Sequence, residues 1–272
     1  GKRDNTYFLS SETCALDTVG AEFVRDVLPG EVVTITSKGI ESDTSLCQKK
    51  NARCIFEYIY FARPDSKIDG MGVYESRINA GRILAKTHPV DADLVVGVPE
   101  SGNPAALGFS LESGIPYGNA FIKNNYVGRT FIKPKQAQRE SSVKVKLNVL
   151  KEAVAGKRVV MIDDSIVRGT TSARIVSLLK NSGAKEVHVR ISSPPFKHPC
   201  YFGTDIPSED QLIATGKTVD EICKIIGADS LGYLEVDRLS EMICGRTGFC
   251  DACFTGNYPM DPPTQDIRGE MG

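Results

Sequence analysis

The stretch Val159–Ser172, V-V-M-I-D-D-S-I-V-R-G-T-T-S, restricts the fold more than any other part of the chain. Arg158–Ile162 is a short, β-branched apolar run, the pattern of a buried strand. Asp163 and Asp164 stand at its end, followed by a small polar turn, Ser165 to Thr171, that contains Gly169. Ala173, Ile175, Val176, Leu178 and Leu179 then recur at helical spacing. A strand that passes through an acidic pair and a tight turn into a helix makes an anion cradle. The helix N-terminus offers free N–H groups and the positive end of its dipole. Gly169 permits a backbone nest, and Thr170, Thr171 and Ser172 add hydroxyl donors. Neither G-K-[ST] nor G-x-G-x-x-G is present, so this is not a Walker loop or a dinucleotide fingerprint. A cradle that begins with two carboxylates suits a sugar phosphate: ribose hydroxyls donate to the carboxylates while the turn holds the phosphate. The plain alternative is an Asp-Asp strand end capping a helix.

The surrounding pattern gives the fold class. The spacing predicts a helix over Tyr74–Thr87, a strand over Asp93–Val98, a helix over Pro104–Ser113 and a strand over Tyr117–Ile122. Val143–Leu150 reads as extended. Arg158–Ile162, Thr171–Ser182 and Glu186–Ile191 then give strand, helix and strand. This alternation predicts an α/β fold, a parallel sheet with helices on both faces. Cys54–Phe61 reads as an aromatic strand opening that unit. Residues 1–53 hold expected strands at Thr6–Ser10 and Glu31–Ile35, helix-like stretches within Cys14–Leu28 and turns at Pro29-Gly30 and Gly39. Some fifty residues with so few elements make a poor core of their own. Together with an opening that is not Met, this suggests the tail of a larger domain. The expected units are therefore residues 1–53, 54–235 and 236–272.

Open parallel sheets bind ligands at the carboxyl ends of their strands. Two loops leave such ends: the one after Ile162, and Pro99-Glu100-Ser101-Gly102-Asn103-Pro104 after Val98. Taken alone, the second is ordinary turn chemistry; its interest is its place beside the cradle. Lys123 and the basic stretch Tyr126–Arg139, with Arg129, Lys133 and Lys135, read either as a solvated loop or as a lid over an anionic ligand. A net charge of −1 gives no argument for nucleic acid or a membrane surface. There is no run of eighteen apolar residues to span a membrane and no visible signal peptide.

Eight cysteines, without a sign of export, point to a reducing cytoplasm and to metal rather than disulfides. Cys250-Asp251-Ala252-Cys253 is a C-x-x-C, with Cys54 and Cys200 at a distance and Cys244 as a competing ligand. Spacing alone admits zinc, an iron–sulfur cluster or a redox pair, and zinc is its first expectation. Cys14 and Cys223 read as core. His88, His188 and His198 form no catalytic arrangement, and His188, inside a strand, reads as a packing residue.

The acidic pair and its loop resemble the phosphoribosyl-pyrophosphate (PRPP) motif of type I phosphoribosyltransferases. Six segments in order extend the likeness: Cys54–Ser66, Val98–Ser101, Lys123–Ile132, the motif itself, Ser193–Cys200 and Cys250–Pro259. Together they resemble the glutamine PRPP amidotransferase (amidophosphoribosyltransferase) family. The resemblance implies a type I phosphoribosyltransferase fold preceded by the tail of an N-terminal nucleophile glutaminase domain. It implies ammonia, released from glutamine, displacing pyrophosphate from PRPP to give phosphoribosylamine, the committed step of purine biosynthesis.

By the same resemblance, Asp163 and Asp164 serve the ribose hydroxyls and Mg²⁺, and Ser101 is a further Mg²⁺ position. Glu100, Ser101 and Gly102 form the pyrophosphate loop. Ser165, Arg168, Gly169, Thr170 and Thr171 form the 5′-phosphate loop, and Lys123, Tyr126 and Arg129 are lid candidates. Cys54, Cys200, Cys250 and Cys253 match the ligands of a [4Fe–4S] cluster, which replaces the zinc expectation. Purine nucleotides are implied as feedback inhibitors, and a homo-oligomer, a tetramer, as the assembly. The family's N-terminal cysteine nucleophile is not in this sequence, so glutamine hydrolysis is not expected of these residues. Residues 260–272 have no counterpart in the pattern. A non-catalytic PRPP-binding regulator is the second reading; the absence of a basic helix-turn-helix pattern weighs against it.

Overall fold

The β-branched runs pair side by side in one parallel sheet. This computed structural model describes residues 1–47, 51–123, 147–204 and 208–262. The N-terminal part holds β1 (Lys2–Arg3), β2 (Thr6–Tyr7), α1 (Thr13–Thr18) and a hairpin of β3 (Val32–Thr36) with β4 (Gly39–Asp43). After β5 (Arg53–Cys54) come a π-helical turn (Glu57–Phe61), the pair β6 (Lys67–Ile68) and β7 (Met71–Gly72), and α2 (Val73–Thr87). Next are β8 (Leu94–Gly97), α3 (Gly102–Ser113), β9 (Phe121–Lys123), β10 (Leu147–Val149) and α4 (Lys151–Val154). Then follow β11 (Arg158–Asp163), α5 (Thr170–Asn181), β12 (Glu186–Ile191), α6 (Val219–Ile226) and β13 (Ser230–Tyr233). The last described elements are α7 (Leu239–Met242), β14 (Phe249–Cys250) and α8 (Ala252–Thr255).

The sheet order is β13-β12-β11-β8, parallel throughout, with Met161 opposite Val96 on one side and Val189 on the other. Alternate residues enter two cores. Val95, Val160 and Ile162 pack with Leu84 of α2 and Phe109 of α3. Val159, Met161, Val187, Val189 and Ile191 pack with Leu179 of α5 and Ile226 of α6. Both faces are covered, as the near-continuous apolar strands require. β12 departs from that pattern at His188 and Arg190, both buried. His188 lies 3.0 Å from Ser230 Oγ and 3.0 Å from Glu186 Oε2, and Arg190 Nε donates to the His88 carbonyl at 2.9 Å. The packing role read for His188 is what the structure gives it.

Several expectations are corrected. Cys54–Phe61 is not one strand: pairing stops after Cys54, and the aromatic run winds into the π-helical turn, closed by Ala62 N–H on the Glu57 carbonyl at 3.2 Å. An apolar run buried on more than one side carries no period to tell strand from helix. Tyr117–Ile122 divides into a single bridge from Tyr117 to Val95 and β9, which pairs antiparallel with β10 outside the main sheet. Cys14–Leu28 is helical only over Thr13–Thr18, and Thr6–Ser10 is a strand only at Thr6–Tyr7. Gly39, as expected, marks a turn: it pairs with Thr36 and closes the turn that joins β3 to β4. Leu239, Met242, Ile243 and Phe254 lie in the α2–α3 core, so this part of the C-terminal segment packs against the sheet unit. The N-terminal part docks through α1: Glu12 Oε2 accepts from Arg63 N–H and Ser66 Oγ, each at 2.7 Å.

Candidate active site at the carboxyl ends of the sheet

Parallel pairing places the ends of β8 and β11 on one edge. Val98 N–H donates to the Ile162 carbonyl at 2.8 Å, so the ladder carries the next loop directly over Asp163. Gly102 makes the approach possible: a Cβ there would sit 2.5 Å from the Ile162 carbonyl oxygen. The result is that Ser101 Oγ donates to Asp164 Oδ2 at 2.5 Å, while Ser165 Oγ donates to Asp164 Oδ1 at 2.5 Å. Asp164 N–H in turn donates to Asp163 Oδ1 at 2.9 Å. The Pro99–Glu100 peptide in this loop is cis.

Both carboxyl groups are buried. Burial, and then the neighbouring Asp164 charge, push the Asp163 carboxyl well above the usual carboxylate range. Burial also raises Asp164, against the Ser101 and Ser165 hydroxyls and the charge of Arg77, which favour its ionised form. Two buried carboxylates side by side are relieved by hydroxyl donors or by a cation. A hydroxyl-plus-carboxylate oxygen set is the hard donor chemistry that Mg²⁺ takes.

The other half of the site is the start of α5. Gly169, at φ 79°, is the residue before the helix, and no side chain caps the N-terminus. Its first N–H groups are therefore left to a ligand or to solvent, and Thr170 and Thr171 beside them are exposed. Arg168 does not point into that loop; its guanidinium donates to Gln211 Oε1. Glu100, on the opposite loop, is paired with Lys123 Nζ at 3.1 Å. Tyr126, Arg129 and the rest of Tyr126–Arg139 lie outside the described residues.

Arg77 was not read from the sequence as a site residue. It is 2% exposed, donates to the Tyr58 and Ala62 carbonyls at 2.9 and 2.7 Å, and faces Asp164 electrostatically. The signal was there: Val73, Ser76, Arg77, Ala80, Gly81 and Leu84 form the buried stripe of α2, and one of them is an arginine.

The four cysteines come together away from the acidic pair. Cys54 and Cys250 are opposite each other in the parallel β5–β14 pair. Burial pushes the Cys54 thiol up to about 11, with Glu57, Cys200 and Cys250 adding to the rise. Cys253 is raised by burial and then by Cys54, Cys200 and Cys250. Cys200 is the exception. Burial works to raise it, but N–H groups of Gly203, Phe202 and Thr204 outweigh that and hold it below an ordinary thiol. The Thr204 N–H lies 3.4 Å from its sulfur. Among the described residues no three His, Cys, Asp or Glu side chains close around a single ion. All eight cysteines are free thiols. A cavity of about 1390 Å³ lies between this region and residues 1–40, bordered by Phe23, Val33, Cys54 and Cys200. It does not reach the acidic pair.

Residues 78–193 match the phosphoribosyl transferase domain family. The chain is 52% identical over 271 residues to amidophosphoribosyltransferase of Archaeoglobus fulgidus, covering 98% of this chain and 59% of that one. Against the Bacillus subtilis amidophosphoribosyltransferase it is 50% identical, covering 96% and 56%. Two solved structures, each 50% identical, superpose on 94% of the chain. One is described as the allosteric regulatory enzyme of purine biosynthesis, at a TM-score of 0.87 over 56% of its length. The other is glutamine PRPP amidotransferase from B. subtilis complexed with ADP and GMP, at 0.86 over 57%. The chain thus spans somewhat more than half the length of the relatives it matches.

Proposed function

Since the chain carries a phosphoribosyl transferase domain and is homologous over nearly its whole length to amidophosphoribosyltransferases, we propose that it performs the transfer half of that reaction. Ammonia displaces pyrophosphate from C1 of PRPP, giving 5-phosphoribosylamine. The observation that carries the reading is the Ser101–Asp164 contact, which sets the β8 loop against the acidic strand end beside an uncapped helix N-terminus.

In this reading Asp163 and Asp164 accept hydrogen bonds from the two ribose hydroxyls and fix the ring. The α5 N-terminus with Ser165, Gly169, Thr170 and Thr171 holds the 5′-phosphate. Glu100, Ser101 and Gly102 border the pyrophosphate. Ser101, Asp163 and Asp164 are the residues that would hold Mg²⁺, which would supply charge neutralisation for the leaving group. Displacement at C1 passes through an oxocarbenium-like state, which the nearby carboxylates stabilise and which must be kept from water. The B. subtilis relative's name includes glutamine, which we take as the ammonia source, and its complex with ADP and GMP supports purine nucleotides as ligands of this chain and its expected feedback inhibitors.

We also assign Cys54, Cys200, Cys250 and Cys253 to one [4Fe–4S] cluster. A set of soft thiolates suits iron–sulfur or zinc. Cys54, Cys200 and Cys250 all add to the rise of the Cys253 thiol, and Cys54 stands opposite Cys250 in the β5–β14 pair, so the four belong to one neighbourhood. N–H groups aimed at the Cys200 sulfur favour a bound thiolate. The proposed units are residues 54–235 for transfer, 236–272 for two of the cluster ligands, and 1–53 for a docked part of a glutaminase domain.

The test is pyrophosphate release from PRPP with Mg²⁺ and ammonium salt. Release that depends on ammonia supports the transferase. PRPP binding without release would return the chain to the regulator reading.

A further inference from the structure

The loop assigned to the 5′-phosphate has no regular structure of its own between β11 and α5, so something else must set its shape. Residues 208–215 do so. Leu212 is buried in the α2–α3 core, whereas Ile213 and Ala214 are buried in the α5–α6 core. Consecutive residues in opposite cores mean that this segment crosses the edge of the sheet. It also holds the phosphate loop at three successive residues. Ile213 N–H donates to the Val167 carbonyl at 2.8 Å. Gln211 Oε1 accepts from the Arg168 guanidinium. The Ile213 side chain fills the space beside Gly169, where a Cβ would meet it at 2.5 Å. Both ends of the segment are tied as well: Glu209 to His198 at 3.7 Å, and Thr215 Oγ1 to the Lys197 carbonyl at 3.3 Å.

Gln211 stands at the centre of this strap. Its amide oxygen takes Arg168, and its Nε2 donates to Ser208 Oγ at 3.2 Å, which fixes the amide's orientation. We propose that Gln211 is a positioning residue for the phosphate loop: by holding Arg168 outward it leaves the α5 N-terminus and the loop backbone as the phosphate's partners. Gln211 touches no substrate atom in this scheme and acts through Arg168. The inference rests on the PRPP reading above. It adds that recognition at the 5′ end depends on a side chain 43 positions beyond Arg168, outside the motif.

The test compares the chain with Gln211→Ala and Gln211→Glu by calorimetry in Mg²⁺, using ribose 5-phosphate as the probe of the phosphate loop. Pyrophosphate is the control for the opposite loop at Glu100–Gly102. Thermal melting checks that each variant is folded. Gln211→Ala should weaken ribose 5-phosphate about tenfold, because a loop no longer anchored through Arg168 holds its binding shape only a fraction of the time, and leave pyrophosphate unchanged. Gln211→Glu, which keeps an acceptor for Arg168, should bind ribose 5-phosphate as the parent does. Unchanged ribose 5-phosphate affinity in a folded Gln211→Ala variant overturns the inference, as does an equal loss for both ligands. Failure of the parent chain itself to bind ribose 5-phosphate and PRPP would instead overturn the PRPP reading.

Discussion

Ser101 Oγ and Asp164 Oδ2 stand 2.5 Å apart across 63 positions of sequence. The contact joins the loop after one strand to the end of its neighbour, and it depends on a parallel register that places Val98 N–H on the Ile162 carbonyl. It turns two separate turns into one site with an acidic floor.

The floor should be essential for ligand and harmful to the empty fold. Asp163→Asn and Asp164→Asn each remove a charged acceptor, worth about 1.5–3 kcal/mol in a charge-assisted bond. PRPP affinity in Mg²⁺ should fall at least tenfold in each, measured by calorimetry. Near-parental binding by both variants would refute the assignment.

The same pair predicts a pH dependence. Both carboxyl groups have folded-state values raised above the ordinary aspartate value, chiefly by burial. The folded state therefore holds protons that the unfolded state has released. Their contribution makes the ligand-free chain less stable as pH rises from the ordinary aspartate range through the raised values. Asp163→Asn should flatten this slope and raise the melting temperature at neutral pH, read by denaturation curves across pH. A slope that is the same in the variant would show that the pair is not its source.

Gly102→Ala tests the approach of the loops. A Cβ 2.5 Å from the Ile162 carbonyl oxygen cannot be accommodated without moving the backbone. Overpacking of this kind costs about 1–3 kcal/mol. The expected variant melts lower and loses PRPP binding by more than its stability loss accounts for, because Ser101 is carried away from Asp164. Parental affinity in the folded variant would mean that the loop position does not matter.

Arg77→Gln should destabilise the chain by about 1–3 kcal/mol, since two buried backbone carbonyls lose a charged donor. Arg77→Lys should recover only part of the loss, because an ammonium lacks the planar fork that reaches both Tyr58 and Ala62. Chemical denaturation midpoints measure both.

For the cysteines, anaerobically purified chain should contain about four iron atoms per chain, the content of the cluster type. Cys253→Ser should lose iron and lower the melting temperature. Zinc in stoichiometric amount without iron would restore the reading that spacing alone gave.

What was legible in the sequence follows from range. β11, β12 and α5 were read nearly to their ends because Val159–Ile162 is a short β-branched apolar run stopped by the acidic pair, and Ile175–Leu179 recurs at helical spacing, both visible in a short window. The acidic pair was legible because its chemistry is contiguous. Cys54–Phe61 was misread because burial on several sides erases the period. Arg77 escaped notice because a charged side chain is ordinarily taken as solvated, and only its place on the buried stripe of α2 says otherwise. Gln211 gave no signal at all: its importance is a contact with Arg168, and contacts of that kind exist only once the sheet is assembled.

The parallel pairing of β5 with β14 has a kinetic consequence. Cys54 meets Cys250 only when a strand near the beginning of the sheet unit finds one beyond its last strand. On a ribosome, β8 to β13 can associate while Phe249–Cys253 is still unsynthesised, and contacts of such long sequence separation close late. The thiol of Cys54 therefore waits, without its partners, through most of the folding of the domain. The interval between completion of the sheet and arrival of β14 is when these thiols are open to oxidants and to the cluster proposed for them.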